Sequence, residues 1–563
     1  METTTNSFNR DVKPWSFLKK ISFRIAFVFF LLMSIPLSGN WYKNVLTIDW
    51  LNPHYRDIYD IARFGTNVPP VLFSSGRGGA GDGEGQEVGT QQKKKDDKKG
   101  RKAADQKRTR TKATESQNSP DVLPRKRNWI SDYSSWGNAL AIAIVAGLIW
   151  TLLDRKRPSY NTLYYWLTVV VRFRAAIGII GFGYTKLFPT QMPFPSLGLL
   201  NTDFGDFTAQ KIYWLSVGIV PWYQVFGGVV ELAAGALLFF RKTATFGAIL
   251  LIGALGDITF VNYAYDGGVH VYAFYFVLLG AFVIAADVPR LYNLLIREQY
   301  TVPQDYYPNY SKPVYKYIRI GLKGLAILIF FVILTYTEVI NFKYDPYKQP
   351  STAGVKALRG NYNVTEFRIN GKPLPYSPLD SVRWKEATFE KWTTLTFRIN
   401  KPVIVDPSNG GGSPMRDIQR NFEIAGTAGG QRAFHYYADT IDHVLYLQDK
   451  NAMAALGRTG GRRNQDEKPE KADNWINPKA WNHIGDENHM IDRSAWSTRR
   501  DREFARPERN IGRARMVLNY NTTDGSRVIL TGLNESKDSL YIVLDRIDRK
   551  YVLRPSSLNA GNY

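Results

Sequence analysis

The chain contains no cysteine among its 563 residues. That absence removes disulfides, thiolate zinc sites, cysteine-ligated iron–sulfur clusters, covalent haem attachment and cysteine nucleophiles together. It does not fix a compartment, since envelope proteins also do without cysteine. Histidine is scarce, with six in the whole chain. His270 alone lies at the edge of a long apolar run, so a b-type haem held by two intramembrane histidines has no second ligand. The C-terminal part, 345–563, lacks long apolar runs altogether. No phosphate-binding loop, dinucleotide fingerprint, nucleophile elbow or zincin helix occurs, and no metal site is expected.

What is present is strongly segregated. The mean hydropathy of −0.27 averages two unlike halves. Apolar runs cover 21–37, 136–153, 164–188, 217–240, 246–263, 271–286 and 320–340. Each is close to the ~20 residues that cross a bilayer as a helix. A short stretch at 212–217 could add a re-entrant piece. Lys19, Lys20 and Arg24, the loops Arg155-Lys156-Arg157 and Arg241-Lys242, and the basic connector 288–319 fall on one side of the resulting topology. The excess of Lys and Arg in short loops marks the cytoplasmic side. This predicts a bacterial inner-membrane protein of about seven spans, with a cytoplasmic N-terminus and a periplasmic C-terminal domain.

The expected organisation is an anchor helix in 1–40, a long extracytoplasmic loop 41–135, a bundle 136–341 and a β-rich domain 345–563. Within the loop, 76–127 is glycine-rich and then polybasic, with 14 Lys and Arg against 5 Asp and Glu from 93 to 127. Such a segment buries too little apolar surface to order itself and reads as a disordered tether. The formal charge of +23 in a membrane protein points to lipid head groups and envelope partners rather than nucleic acid.

The β domain is read from short alternating runs at 361–369, 381–389, 392–399, 402–405, 421–424, 434–437, 444–447, 515–520, 527–532, 539–544 and 551–553. Turn residues such as Asn370-Gly371 and Asp524-Gly525 separate them. This spacing predicts an antiparallel barrel or sandwich. A polar insertion, 451–507, reads as a long solvated loop with local turns or helix. It contains His483, Asp486, Glu487 and His489.

Charged residues inside apolar runs are costly and usually face a bundle interior. They define a candidate polar pocket of Arg172, Arg174, Lys186, Glu231, Asp257, Asn262, Asp266 and His270. Glu231 and Asp257 are expected on adjacent antiparallel helices, with Arg172 or Arg174 as counter-charge. Such a group either braces the bundle or binds a head group or quinone. No catalytic residue is assigned.

The run 174–188, with Arg174, Gly178, Gly181, Gly183, Lys186 and Leu187, resembles the first helix of the DoxX-like family of membrane proteins. The run 223–238, with Gly227, Gly228, Glu231 and Gly235, resembles its second helix. Asn262, Tyr265, Asp266, Asp287, Arg290 and Leu291 match further marks of its larger envelope members, so the likeness spans about 163–292. The resemblance implies a four-helix core, a C-terminal β domain of lipocalin-like type, and a polar cavity lined by Arg174, Lys186, Glu231, Asn262 and Asp266. It also implies quinone as a candidate ligand. The polybasic segment and the insertion depart from the family and suggest partner contacts of their own. Three functions follow: an accessory subunit binding lipid or quinone, an oxidoreductase subunit using a quinone, or a structural subunit of a large envelope assembly.

Overall fold

The computed structural model describes residues 14–64, 68, 72, 131–301, 313–452, 475–506 and 512–561. The expected tether at 76–127 lies outside the described residues, as does 453–474 of the insertion.

The membrane-type helices are α1 (Phe17–Ser34), α2 (Gly39–Leu46), α3 (Tyr55–Ala62), α4 (Ser134–Leu153), α5 (Asn161–Leu187), α6 (Ala209–Gly218), α7 (Pro221–Leu238), α8 (Ala244–Ala264), α9 (His270–Ile284), α10 (Val288–Leu295) and α11 (Pro313–Tyr344). Among the described residues four helices are long and apolar enough to cross a membrane alone, and the number rises to seven if each bent pair is one span. The bends are 48° between α1 and α2, 91° between α6 and α7, and 76° between α9 and α10. The run expected at 217–240 therefore begins as a helix at Pro221, because proline fits the first turn but not the interior. The stretch 212–217 belongs to α6, bent away from α7.

Helices α5, α7, α8 and α9 pack as a closed ring of four, with α1 and α4 laid against it. Small residues permit the α5–α7 approach. A Cβ on Gly228 would collide with the backbone of Gly183 and Leu187, and one on Gly235 would lie 2.7 Å from Ile180. Without a hydrophobic force between spans, such backbone proximity is a main source of helix association. α1 is no isolated anchor. Arg24 is buried and donates to Tyr160 Oη at 2.9 Å, Thr151 Oγ1 at 2.9 Å and the Asp154 carbonyl at 2.5 Å.

The C-terminal part is a closed eight-stranded antiparallel barrel. Its strands are β1 (Gly360–Ile369), β3 (Glu386–Phe389), β4 (Thr394–Arg398), β5 (Gln431–Asp439), β6 (Val444–Asp449), β7 (Arg515–Asn521), β8 (Arg527–Leu533) and β9 (Ser539–Ile547). β1 pairs with β9 to close it, and the two-residue β2 (Lys372–Pro373) extends β1. Alternate residues point inward and fill the lumen. Tyr362, Phe389, Leu395, Phe434, Tyr436, Leu445, Leu447, Leu518, Leu530 and Ile542 are inaccessible, and Trp384 stacks on Phe397 at 3.8 Å. A small barrel filled in this way is a packed core.

Three expected strands do not form. Residues 402–405 and 421–424 form no strand; an isolated bridge between Asp406 and Ala425 joins the ends of these two segments to each other, and 551–553 is irregular. Val405, Phe422 and Ile424 are nonetheless buried. Their apolar character reflects packing between barrel and bundle, which alternation alone does not separate from a strand.

Connectivity and contacts place the barrel at one end of the bundle. Phe173 in the middle of α5 meets Phe239 just past the end of α7, Thr245 donates to Asp287, and Trp15 meets Asn161. These contacts group the loops that carry Arg155-Lys156-Arg157, Arg241-Lys242 and Arg290 at the opposite end from the barrel.

Candidate functional site

The eight candidate pocket residues do not form one cluster. Lys186, in the last turn of α5, donates to both oxygens of Glu231 at 2.7 and 2.9 Å. Glu231 is buried on α7, and the pair is the ion bridge inside the four-helix ring. Arg174 is buried but pairs with no carboxylate among the described residues. It donates to the Ala62 carbonyl at 2.6 Å and the Phe64 carbonyl at 3.3 Å, and lies 4.0 Å over the Phe64 ring. The carbonyl end of α3 thus takes the place of the expected acid, a contact that a linear reading of the span could not supply. Arg172 is buried near the basic-loop end, remote from Glu231. His270 pairs with Asp132 at 3.3 Å and packs 4.5 Å from Tyr263. Asn262 bonds back to the Ile258 carbonyl at 2.7 Å. Asp257 and Asp266 are exposed. Glu231 and Asp257 therefore do not make the expected buried pair, since α8 turns Asp257 outward. Glu231→Gln weakens one intramembrane bridge and is expected to cost about 1–2 kcal/mol. Thermal unfolding in detergent checks it, and no shift in melting temperature would remove the bridge from the stability of the bundle.

The densest polar cluster lies where bundle meets barrel. Asp345 directly follows α11 and is 1% exposed. Its Oδ1 accepts from Arg420 at 2.5 Å and its Oδ2 from Arg500 at 2.6 Å. Ser413 Oγ also donates to Oδ2 at 2.6 Å. Arg420 donates further to the carbonyls of Pro346 and Gln349. Asp417 lies 3.7 Å from Arg420 and accepts the N–H groups of Ser351 and Thr352 at 2.9 and 2.8 Å. Glu487 accepts the N–H of Asp417 at 2.5 Å. Arg500 sits on α12 (Thr498–Phe504), whose first turn is capped by Ser497. The adjacent Arg499 bridges to Asp57 at 3.2 Å and Asp60 at 2.6 Å on α3.

Charge balance explains why this cluster is tolerated. Burial alone would raise Asp345, but Arg420, Arg500 and the Ser413 hydrogen bond hold it well below the usual carboxylate range. Burial likewise opposes ionisation of Asp417, and Arg420 with the backbone donors brings it down. Burial and the neighbouring Asp417 charge push Glu487 upward, into the protonated form at neutral pH. Burial holds His54 well below its ordinary value, so it is neutral. Two carboxylates then face two guanidiniums, and the remaining groups carry no charge.

His54, Ser413 and Asp345 superficially suggest a hydrolytic triad. The hydrogen bonds run the wrong way. His54 caps α3, its Nδ1 accepting the Arg56 N–H at 3.1 Å. Its proton therefore resides on Nε2, which faces Ser413 Oγ at 3.3 Å as a donor. A general base must accept the serine proton there. The serine proton is instead directed to Asp345, and the trio is a structural brace.

A second buried bridge joins Lys450 to both oxygens of Glu423 at 3.0 Å, with both side chains inaccessible. Thr394 Oγ1 donates to Glu423 at 3.0 Å, and Trp392 Nε1 donates to the same oxygen. Nearby, Glu390 accepts the N–H groups of Leu197 and Gly198 at 3.0 and 2.7 Å, pinning the one-turn helix Leu197–Leu200 to the barrel. Burial, aided by the Glu423 charge, pushes Glu390 from 4.5 up to about 7 against those donors. A carboxyl raised in the fold binds its proton more tightly there than in the unfolded chain. Its contribution is full below 4.5 and is lost as pH rises through about 7. Melting curves from pH 5 to 8 are expected to show this loss in the native protein and to flatten in Glu390→Gln. An unchanged slope in the variant would assign the titration elsewhere.

The insertion is thus only partly the solvated loop expected from its polarity. Residues 475–506 hold a buried arginine, a buried glutamate and an apolar patch in which Ile476, Ala480 and Ile484 cover Tyr446. His483 bonds Asp439 at 2.9 Å, with Asp442 near enough to complete a three-ligand group, while Asp486 and His489 stay exposed. A cleft of about 20 Å³ between α6 and the barrel, lined by Lys211, Trp214, Asn409 and Phe422, has room for roughly one water.

No protein-family model matches the chain, and no curated protein or solved structure compared with it does so either.

Proposed function

We propose that this chain is a non-catalytic scaffold subunit of a bacterial envelope assembly, anchored in the inner membrane and holding its barrel rigidly in the periplasm. The observation that carries this reading is the Asp345 cluster. It joins the end of α11, the cap of α3, the loop 413–420 and α12 through fully buried charges. The polar groups there are consumed in holding four segments together rather than turned toward a substrate. The basic loops at the end away from the barrel support a cytoplasmic N-terminus. The polybasic loop, the insertion and the barrel surface are the surfaces for envelope partners and lipid.

A second reading, an accessory subunit with a DoxX-like bundle holding a lipid or quinone, draws support from the four-helix ring around Lys186 and Glu231. The packed lumen weighs against a lipocalin-like ligand cup in the barrel. Native mass spectrometry of protein extracted gently from its own membrane, with an absorption spectrum of the same sample, separates the readings. Stoichiometric partner proteins without a chromophore are expected. A lone chain that carries and reduces a stoichiometric quinone would make it an oxidoreductase subunit and overturn the scaffold reading.

A further inference from the structure

On α8, Phe246, Ile249, Gly253, Asp257 and Phe260 recur at intervals of three and four and share one exposed stripe. Asp257 makes no hydrogen bond or ion pair among the described residues. It lies seven residues before the end of α8, about 10 Å along the axis. Phe260, 73% exposed, stands between it and the barrel end. A carboxylate below such an apolar residue faces hydrocarbon rather than head groups, at a cost of about 3 kcal/mol or more. A Cβ on Gly253 or Gly256 would meet nothing within 4 Å, so a neighbouring backbone can approach closely beside the carboxylate.

Resting on the scaffold reading, we infer that this stripe docks a membrane-spanning helix of a different protein, which places a lysine or arginine against Asp257. Charge complementarity selects that occupant. A lipid amine would have to pass Phe260. A second copy in the same orientation brings no suitable cation among its described spans, because Arg319 and Lys323 lie in the basic-loop half of α11 and Lys186 is held by Glu231. Three tyrosines, Tyr213, Tyr223 and Tyr265, stand at the barrel end of the same face, with the Tyr213 and Tyr265 rings 5.1 Å apart. They suit an interfacial rim around the docked helix.

The test places a photoreactive benzoylphenylalanine at Ile249 or Phe260 of the full chain in its native membrane and sequences the cross-linked peptide. The expected adduct is an apolar span of another protein with a lysine or arginine inside it. Asp257→Asn should cut the yield at least tenfold, while Asp257→Glu retains most of it. Both variants should melt like the native chain, since Asp257 has no hydrogen-bond or ion-pair partner among the described residues. Adducts to lipid alone, to a second copy or to a span without a base would overturn the inference, as would an undiminished yield in Asp257→Asn. If native mass spectrometry still finds stoichiometric partners in that case, the scaffold reading stands and only this docking face is wrong.

Discussion

Asp345→Ala is expected to destabilise the protein by about 3–5 kcal/mol, the cost of leaving buried charge without its partner. The change removes the shared carboxylate of two guanidiniums inaccessible to water: Arg500 loses its ion-pair partner and Arg420 keeps only the longer contact to Asp417. Ser413 Oγ also loses its acceptor. The damage should be local to the junction. Protease should cut around 498–506 in the variant at concentrations that leave the native chain intact, while the barrel strands remain protected. The melting transition should split, because a barrel no longer tied to the bundle unfolds independently. A single unshifted transition would show that the cluster is incidental.

Lys450→Met is expected to cost about as much, roughly 3–5 kcal/mol, for the same reason. Glu423 would remain buried without its ion-pair partner, with the hydroxyl of Thr394 and the indole of Trp392 as donors. The double variant Lys450→Met/Glu423→Leu removes both charges and should recover part of the loss. Recovery stays incomplete because Trp392 and Thr394 then lack an acceptor, about 1–3 kcal/mol for each buried group. Chemical denaturation of all four proteins of the cycle gives the coupling directly. A double variant no more stable than Lys450→Met would show that the bridge contributes through packing.

The spans and the barrel strands were legible because their signals are local. Hydrocarbon thickness sets the run length, and the pleat sets the alternation in 515–520, 527–532 and 539–544. The failures share one cause. Residues 402–405 and 421–424 look like strands because they are buried, yet their burial comes from α6 and the junction. Arg499 and Arg500 look like solvated charges in a polar loop. Their partners, Asp57, Asp60 and Asp345, lie more than 150 residues away in sequence. Long-range ion pairing leaves no periodicity. The nearest local hint was the Ser497 cap ahead of α12. In the bundle, Lys186 and Glu231 stood out as charges within apolar runs, and the structure pairs them. Their mutual pairing was not legible, because the helical phase that turns Asp257 outward depends on which face of α8 packs against α7 and α9.

Barrel and bundle are expected to move as one rigid body. The cysteine-free chain suits a direct measurement. Single cysteines at Ile441 on the barrel and Leu295 at the far end of the bundle, both exposed, can carry nitroxide labels for double electron–electron resonance in nanodiscs. One narrow distance distribution is expected, broadened by Asp345→Ala. A broad distribution in the otherwise native protein would mean that the barrel swings freely on the membrane anchor, and would contradict that expectation.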